Sequence, residues 1–272
     1  MSETRRLINE TRLIPKKEKG QNFLTDVDTA DRQIEYAGIS RDDRVLEVGP
    51  GFGILTKRLV DVSDSVTCIE LDNKLADYIG KEFKDGLTLI HGDALKVEWP
   101  EFDVFVSNLP YSVSTPIIFK LLEHDFRRAV VMVQKEFADR MDAVPNTKDY
   151  SRLTIGIYHK ADCEIIETVS ASRFDPRPKV DSAIVTLTPR APPYSLEDER
   201  LFFKIVDLCF THRRKKIGTS LKNARIIEKD AELPYLDNRI EDLSPEMIAE
   251  LSNCVHSYTT NVKCRREDTG SI

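Results

Sequence analysis

The sequence predicts an α/β protein. Its main domain should be a mostly parallel sheet with helices on both faces and one antiparallel edge strand, joined to a small all-helical C-terminal domain. Three observations carry this. Short apolar runs alternate with amphipathic stretches from residue 44 to about 135, the pattern of βαβ units. The runs are continuous and rich in β-branched residues, as in strands buried on both faces. A segment with three prolines, TPRAPPYSLEDE (188–199), then breaks the pattern, and the chain beyond it is helical in character.

Taken in order, Asp26 is placed to cap a helix over 26–37. RVLEVG (44–49), SVTCIEL (65–71), LTLIHG (87–92), FDVFVSN (102–108) and AVVMVQ (129–134) are strands. ILTKRLVDV (54–62) and NKLADYIGKEF (73–83) are amphipathic helices between them. DCEIIETVS (162–170) and VDSAIVTLT (180–188) are two further strands, joined by the rigid SRFDPRPK loop, and should pair antiparallel at one edge of the sheet. Beyond the break, 201–223 is a helical stretch, and a second helix starts at Ser244-Pro245-Glu246, with Ser244 as cap and proline in the first turn. The chain divides into a basic N-terminal segment (1–20), a main domain (21–190) and a helical C-terminal domain (191–272).

Of the 272 residues, 40% are hydrophobic and 32% charged, the balance of a soluble globular protein. A run of ~18 apolar residues that would span a bilayer is absent, and the first 20 residues carry no apolar core of a secretion signal. These point to a cytoplasmic protein. The five cysteines form no CxxC and show no zinc spacing with histidine, so reduced thiols and no metal site are expected, although Cys254 and Cys264 are close enough in sequence to pair if oxidised. The net charge of −6 argues weakly against a polyanionic partner, but charge is polarised along the chain. Arg5, Arg6, Arg12, Lys16, Lys17 and Lys19 form one basic cluster. His212, Arg213, Arg214, Lys215 and Lys216 form another. Acid gathers in 226–250. The second cluster has two readings, a solvated helix face or a contact for nucleic acid.

Glu47-Val48-Gly49-Pro50-Gly51-Phe52-Gly53 ends the first long strand and opens a helix. Glycines there let the backbone turn sharply and approach a ligand. Glu70, at the end of the next strand, can accept both hydroxyls of a ribose. A dinucleotide site would call for GxGxxG, but the spacing here is GxGxG. The acidic Glu47 also suits a ligand with a cationic amine better than a pyrophosphate, which favours S-adenosyl-L-methionine over NAD. Asp93, in GDAL (92–95), comes just after the third strand and is placed to accept from an adenine amine. Gln21-Asn22-Phe23-Leu24 is either a plain entry to the first helix or a lid over the methionine end of the cofactor.

Asn108-Leu109-Pro110-Tyr111 comes after the fourth strand, where open α/β sheets bind ligands. An aromatic amine is a poor nucleophile because its lone pair is delocalised into the ring. Two acceptors on its N–H groups draw nitrogen toward tetrahedral geometry and free that pair. The Asn108 side-chain oxygen and the Leu109 carbonyl can serve, with Pro110 fixing the backbone. Tyr111 offers a ring face for the base. One base–aromatic stack is worth about 1–3 kcal/mol and unstacking a base costs roughly a few kcal/mol, so a second ring is expected, and Phe174 is the candidate. Orientation carries most of the catalysis, and no strong general base is needed.

These stretches together resemble the ribosomal RNA adenine N6-dimethyltransferases. QNFL (21–24), EVGPGFG (47–53), IELD (69–72), GDAL (92–95), SNLPYSVSTPI (107–117), VQKEFADR (133–140) and SRFDPRPKVDSAIV (172–185) run in family order over about residues 17–190. The C-terminal FTHRRKKIGTSL (210–221) looks like that of the small-subunit member, and the length and N-terminus look archaeal. The resemblance implies a Rossmann-like class I methyltransferase sheet. It implies cofactor contacts at Asn22, Leu24, Gly49, Glu70, Asp93 and Asn108, and a target base held by Asn108, Leu109, Tyr111 and Phe174. It also implies methylation of two adjacent adenosines near the 3′ end of small-subunit rRNA, by a monomer acting on a pre-ribosomal particle. RNA contact would then fall to Arg213, Arg214, Lys215 and Lys216. Two alternatives stay open, a large-subunit rRNA adenine methyltransferase and a non-catalytic assembly factor on the same fold.

Overall fold

A computed structural model describes residues 6–8, 10 and 21–269, with side chains as far as Asn261. Apart from 6–8 and 10, the basic N-terminal segment 1–20 lies outside the described residues, as does the side chain of Cys264. The chain forms two compact units. One contains the described residues through Asp139 together with Ala161–Arg190; the other contains Arg140–Lys160 and the chain from Ala191 onward.

The strands of the first unit are, in chain order, β1 (Phe23–Leu24), β2 (Arg44–Val48), β3 (Ser65–Glu70), β4 (Thr88–His91), β5 (Val104–Asn108), β6 (Arg128–Gln134), β7 (Ala161–Val169), β8 (Phe174–Asp175) and β9 (Ser182–Pro189). Seven of them form one sheet in the order β4-β3-β2-β5-β6-β9-β7. β2 through β6 pair in parallel, while β9 runs antiparallel to both β6 and β7. The antiparallel pairing is thus confined to one edge, with β9 as the reversed strand and β7 outside it. The central strands β5 and β6 are buried almost throughout, which is why their sequences are apolar without alternation.

Helices α1 (Val27–Ala37), α2 (Thr56–Val62), α3 (Asn73–Glu82), α4 (Ser114–Leu121) and α5 (Lys135–Met141) alternate with the strands. Asp26 caps α1 by accepting from Thr29 N at 3.1 Å, and left-handed Gly38 ends it, its N–H on the Ile34 and Glu35 carbonyls. Asp72 caps α3, accepting from Lys74 N. Leu24, Ala30, Leu55, Leu59, Val104, Val130 and Ile184 pack between sheet and helices.

One pairing was not expected. The short strand β1 pairs antiparallel with β8 in a separate two-stranded sheet. Instead of a plain entry loop, the Phe23 segment is therefore hydrogen-bonded to the proline-rich loop. The Thr25 N–H adds a bond to the Arg173 carbonyl at 2.8 Å, and Arg173 pairs with Asp26.

The second unit contains α6 (Arg152–Lys160), α7 (Glu199–Thr211), α8 (Ile217–Asn223) and α9 (Pro245–Thr269). Ser244 accepts from Met247 N, so the predicted cap is in place. The helical stretch 201–223 is divided between two helices, with the break at 212–216. Residues 140–160 leave the main domain: Tyr150 and Ile155 pack with Phe202, Ile205, Leu221 and Ile248, and the Tyr150 hydroxyl donates to Leu243 O at 2.8 Å. This segment continues a strand–helix pattern, and local sequence does not distinguish it from a further βα unit. Among the described residues no helix is long and apolar enough to cross a membrane, and no group of three or more His, Cys, Asp or Glu is arranged to hold a metal ion.

Candidate active site

A cavity of about 730 Å³ opens beyond the carboxyl ends of the parallel strands in the first unit. Asn22, Leu24, Gly49, Glu70, Asp93, Asn108, Leu109, Tyr111 and Phe174, each singled out from the sequence, all line it. The Arg213–Lys216 cluster belongs to the second unit and is not part of this wall.

The glycine turn is built for close approach. Gly49, Gly51 and Gly53 all have positive φ, a conformation costly for other residues. A Cβ on Gly51 would stand 3.0 Å from the Phe23 ring. Phe23 packs on Phe52 with centroids 4.8 Å apart, and Phe52 in turn meets the edge of Tyr78. The β1 segment is thus seated directly on the glycine turn.

Glu70 ends β3 and is 5% exposed. Its carboxylate accepts from Asp72 N at 2.7 Å and Gly51 N at 3.4 Å. Burial raises its pKa, against the lowering effect of those backbone bonds. Glu47 is 1% exposed and accepts from Thr56 Oγ1 at 2.7 Å, with the Cys68 thiol 3.5 Å away. Burial pushes its pKa up to about 7. Both buried carboxylates line the cavity, and acceptors of this kind fit a ligand carrying a ribose and a cationic amine. Asp93 opens the turn after β4, its Oδ1 accepting from Leu95 N at 3.0 Å.

Asn108 ends β5. Its side-chain oxygen is buried and has no hydrogen-bond partner among the described residues. Leaving such an acceptor unpaired costs about 1–3 kcal/mol, and Asn108 lines the cavity. The backbone just beyond it is firmly held: Leu109 N donates to Met132 O at 3.0 Å, and the Pro110 carbonyl accepts from Val113 N and Ser114 Oγ. Tyr111 is half-buried, and its hydroxyl is 2.8 Å from Ser182 Oγ. Burial raises its pKa. Phe174 reaches the same cavity from within the core, 6% exposed beside Leu24.

Ser182 was not singled out from the sequence. It is the last residue of the FDPRPKVDS stretch and fully buried, so one loop supplies the Phe174 ring at one end and the Tyr111 anchor at the other. A polar residue closing a proline motif was the available signal. The basic cluster at 213–216 has partners within its own unit. The Arg213 side chain pairs with Glu241 and donates to the Thr147 and Lys148 carbonyls. Lys216 pairs with Asp237 at 2.9 Å. Arg214 and Lys215 are exposed.

Residues 14–256 match the family model described as ribosomal RNA adenine dimethylase. An archaeal relative from Thermococcus gammatolerans, named "Probable ribosomal RNA small subunit methyltransferase A", is 40% identical over 255 residues, covering 90% of this chain and 91% of its own. A dimethyladenosine transferase from Plasmodium falciparum superposes with a TM-score of 0.73 at 30% identity, over 84% of this chain and 95% of that one. The 23S rRNA methyltransferase ErmE superposes with a TM-score of 0.63 at 31% identity, over 86% and 100%. By the family model that matches residues 14–256 and the relatives that match nearly the whole chain, the chain belongs to the ribosomal RNA adenine dimethylase family of S-adenosyl-L-methionine-dependent methyltransferases.

Proposed function

We propose that this enzyme methylates N6 of two adjacent adenosines near the 3′ end of small-subunit rRNA, giving N6,N6-dimethyladenosine, and that it acts as a cytoplasmic monomer on a small-subunit particle during assembly. The observation that carries this reading is the buried, unpartnered Asn108 oxygen on the cavity wall beside Tyr111. S-adenosyl-L-methionine, when bound, supplies an electrophilic methyl on a sulfonium. The chain's own residues do the rest. Glu70 holds the ribose and Asp93 the adenine amine, while Asn22, Leu24 and Gly49 line the methionine end. Asn108 and the Leu109 carbonyl accept from the two N–H groups of the target amine. Tyr111 and Phe174 hold its ring. The acceptors raise the nitrogen's nucleophilicity by disfavouring delocalisation, and the fixed backbone from Asn108 to Ser114 makes that geometry permanent rather than induced.

The small-subunit reading is favoured by the names of the archaeal relatives, which match nearly the whole chain. The large-subunit reading has the ErmE likeness in its favour, at a lower TM-score than the dimethyladenosine transferase. Asn108→Ala should abolish methyl transfer to small-subunit particles while S-adenosylmethionine binding by calorimetry stays measurable. Full turnover by that variant would remove Asn108 from the chemistry. Mass mapping of the methylated nucleotides separates the two subunits as substrates, and label in large-subunit RNA alone would overturn the small-subunit reading.

A further inference from the structure

Helix α4 begins just after the Asn108–Tyr111 turn, and its last turn carries a lysine, Lys120, that serves a different loop. Lys120 Nζ donates to the Ala94 carbonyl at 2.9 Å and the Val97 carbonyl at 2.7 Å. It also stands 5.1 Å from the centroid of the Trp99 ring. Trp99 Nε1 donates to the same Ala94 oxygen at 2.8 Å, and the indole is itself fixed by stacking on Phe105 and His124. The partners of this ammonium are thus two carbonyls and a ring face, an arrangement that spends a cation on holding backbone.

The backbone held is the turn opened by Asp93. Its carbonyl accepts from Lys96 N and Val97 N. The turn folds so tightly that a Cβ on Gly92 would fall 2.6 Å from Val97 Cγ1. Asp93, Ala94 and Leu95 line the cavity, whereas Lys120 and Trp99 lie outside its wall. At the other end of α4, Ser114 Oγ donates to the Pro110 carbonyl. One short helix is therefore tied to the base-holding turn at its start and to the Asp93 turn at its end.

We propose that Lys120, together with Trp99, is a positioning residue for the cofactor: it fixes the Asp93–Leu95 backbone so that the Asp93 carboxylate meets the exocyclic amine of the cofactor's adenine. This rests on the reading of Asp93 as the adenine acceptor, and the test separates the two. Calorimetry would compare S-adenosylhomocysteine with its inosine counterpart, in which a carbonyl replaces the amine, on wild type, Lys120→Met, Lys120→Arg and Trp99→Phe. Wild type should prefer the adenine compound. Lys120→Met should weaken the adenine compound about tenfold, the loss of one charge-assisted hydrogen bond, and leave the inosine compound within about twofold. Lys120→Arg should recover part of the preference, and Trp99→Phe, which keeps the ring but loses the Nε1 donor, should show a smaller loss of the same kind. If wild type binds both compounds equally, Asp93 does not read the amine and both readings fall. If wild type discriminates but folded Lys120→Met keeps full affinity and preference, or loses both compounds equally, Asp93 stands and the positioning role is overturned. Should Lys120→Met not fold, Trp99→Phe decides by the same comparison.

Discussion

Asn108 and Glu47 illustrate how burial at a strand end turns ordinary side chains into chemical groups. Asparagine is common in turns, and only its burial without a partner gives the oxygen a free-energy reason to receive an amine. Glu47 follows the same logic with a titrating group. Its folded pKa is about 7 because burial outweighs the Thr56 and Cys68 hydrogen bonds, whereas the unfolded chain titrates near 4.3. The raised pKa makes its contribution to stability fully present below the unfolded value. That contribution is lost progressively between roughly pH 4.3 and 7 as the unfolded state alone gives up its proton. Without cofactor, wild type should therefore lose stability over that window relative to Glu47→Gln, by an amount on the order of a few kcal/mol. Thermal melts from pH 4 to 8 would check this, and parallel curves for the two proteins would mean that Glu47 is already ionised in the fold. The same variant should weaken S-adenosylmethionine binding above pH 7, where the wild-type carboxylate is charged.

At the scale of elements, two short features matter more than their length suggests. The β1–β8 pair joins the Phe23 segment, seated on the glycine turn, to the loop carrying Phe174. The two walls of the cavity are thereby one hydrogen-bonded piece. The turn at 212–216 is the other. A basic run inside a helical pattern reads as a solvated face or an anion contact, yet the chain turns here and sorts its charges into two kinds. Arg213 holds Glu241 and two carbonyls in a half-buried position, while Arg214 and Lys215 face solvent. Arg213→Ala should lower the melting temperature, with a cost of about 1–3 kcal/mol for the unpaired groups left behind. The double variant Arg214→Ala/Lys215→Ala should melt like wild type but bind small-subunit particles more weakly, with a salt slope reduced by about 2. An unchanged slope in filter binding would take these two residues out of the RNA contact.

The whole molecule is two units whose sequence segments interleave. The second core draws Tyr150 and Ile155 from between two parts of the first unit. A chain ended after Arg190 would expose both residues and lose the Leu243 partner of the Tyr150 hydroxyl. It should aggregate or bind a hydrophobic dye. A chain ended at the same point with 140–160 replaced by a short glycine–serine linker should stay monomeric with a cooperative melt. Size-exclusion chromatography distinguishes them, and equal behaviour of the two would mean that 140–160 is carried by the first unit alone.

The strand–helix alternation, the helix caps at Asp26 and Ser244, the parallel sheet with its antiparallel edge, and the segments that meet in the cavity were all legible in the sequence. They rest on local signals: apolar runs buried on both faces, capping side chains, and glycines and prolines that restrict the backbone within a few residues. The β1–β8 pairing, the Ser182 anchor under Tyr111, the Lys120 and Trp99 hold on the Asp93 turn, the Arg213–Glu241 pair, and the departure of 140–160 to the second core emerged only in three dimensions. Each of those is a contact between distant parts of the chain. Its residues carry no local periodicity that distinguishes it, and its existence depends on which surfaces the sheet order brings together.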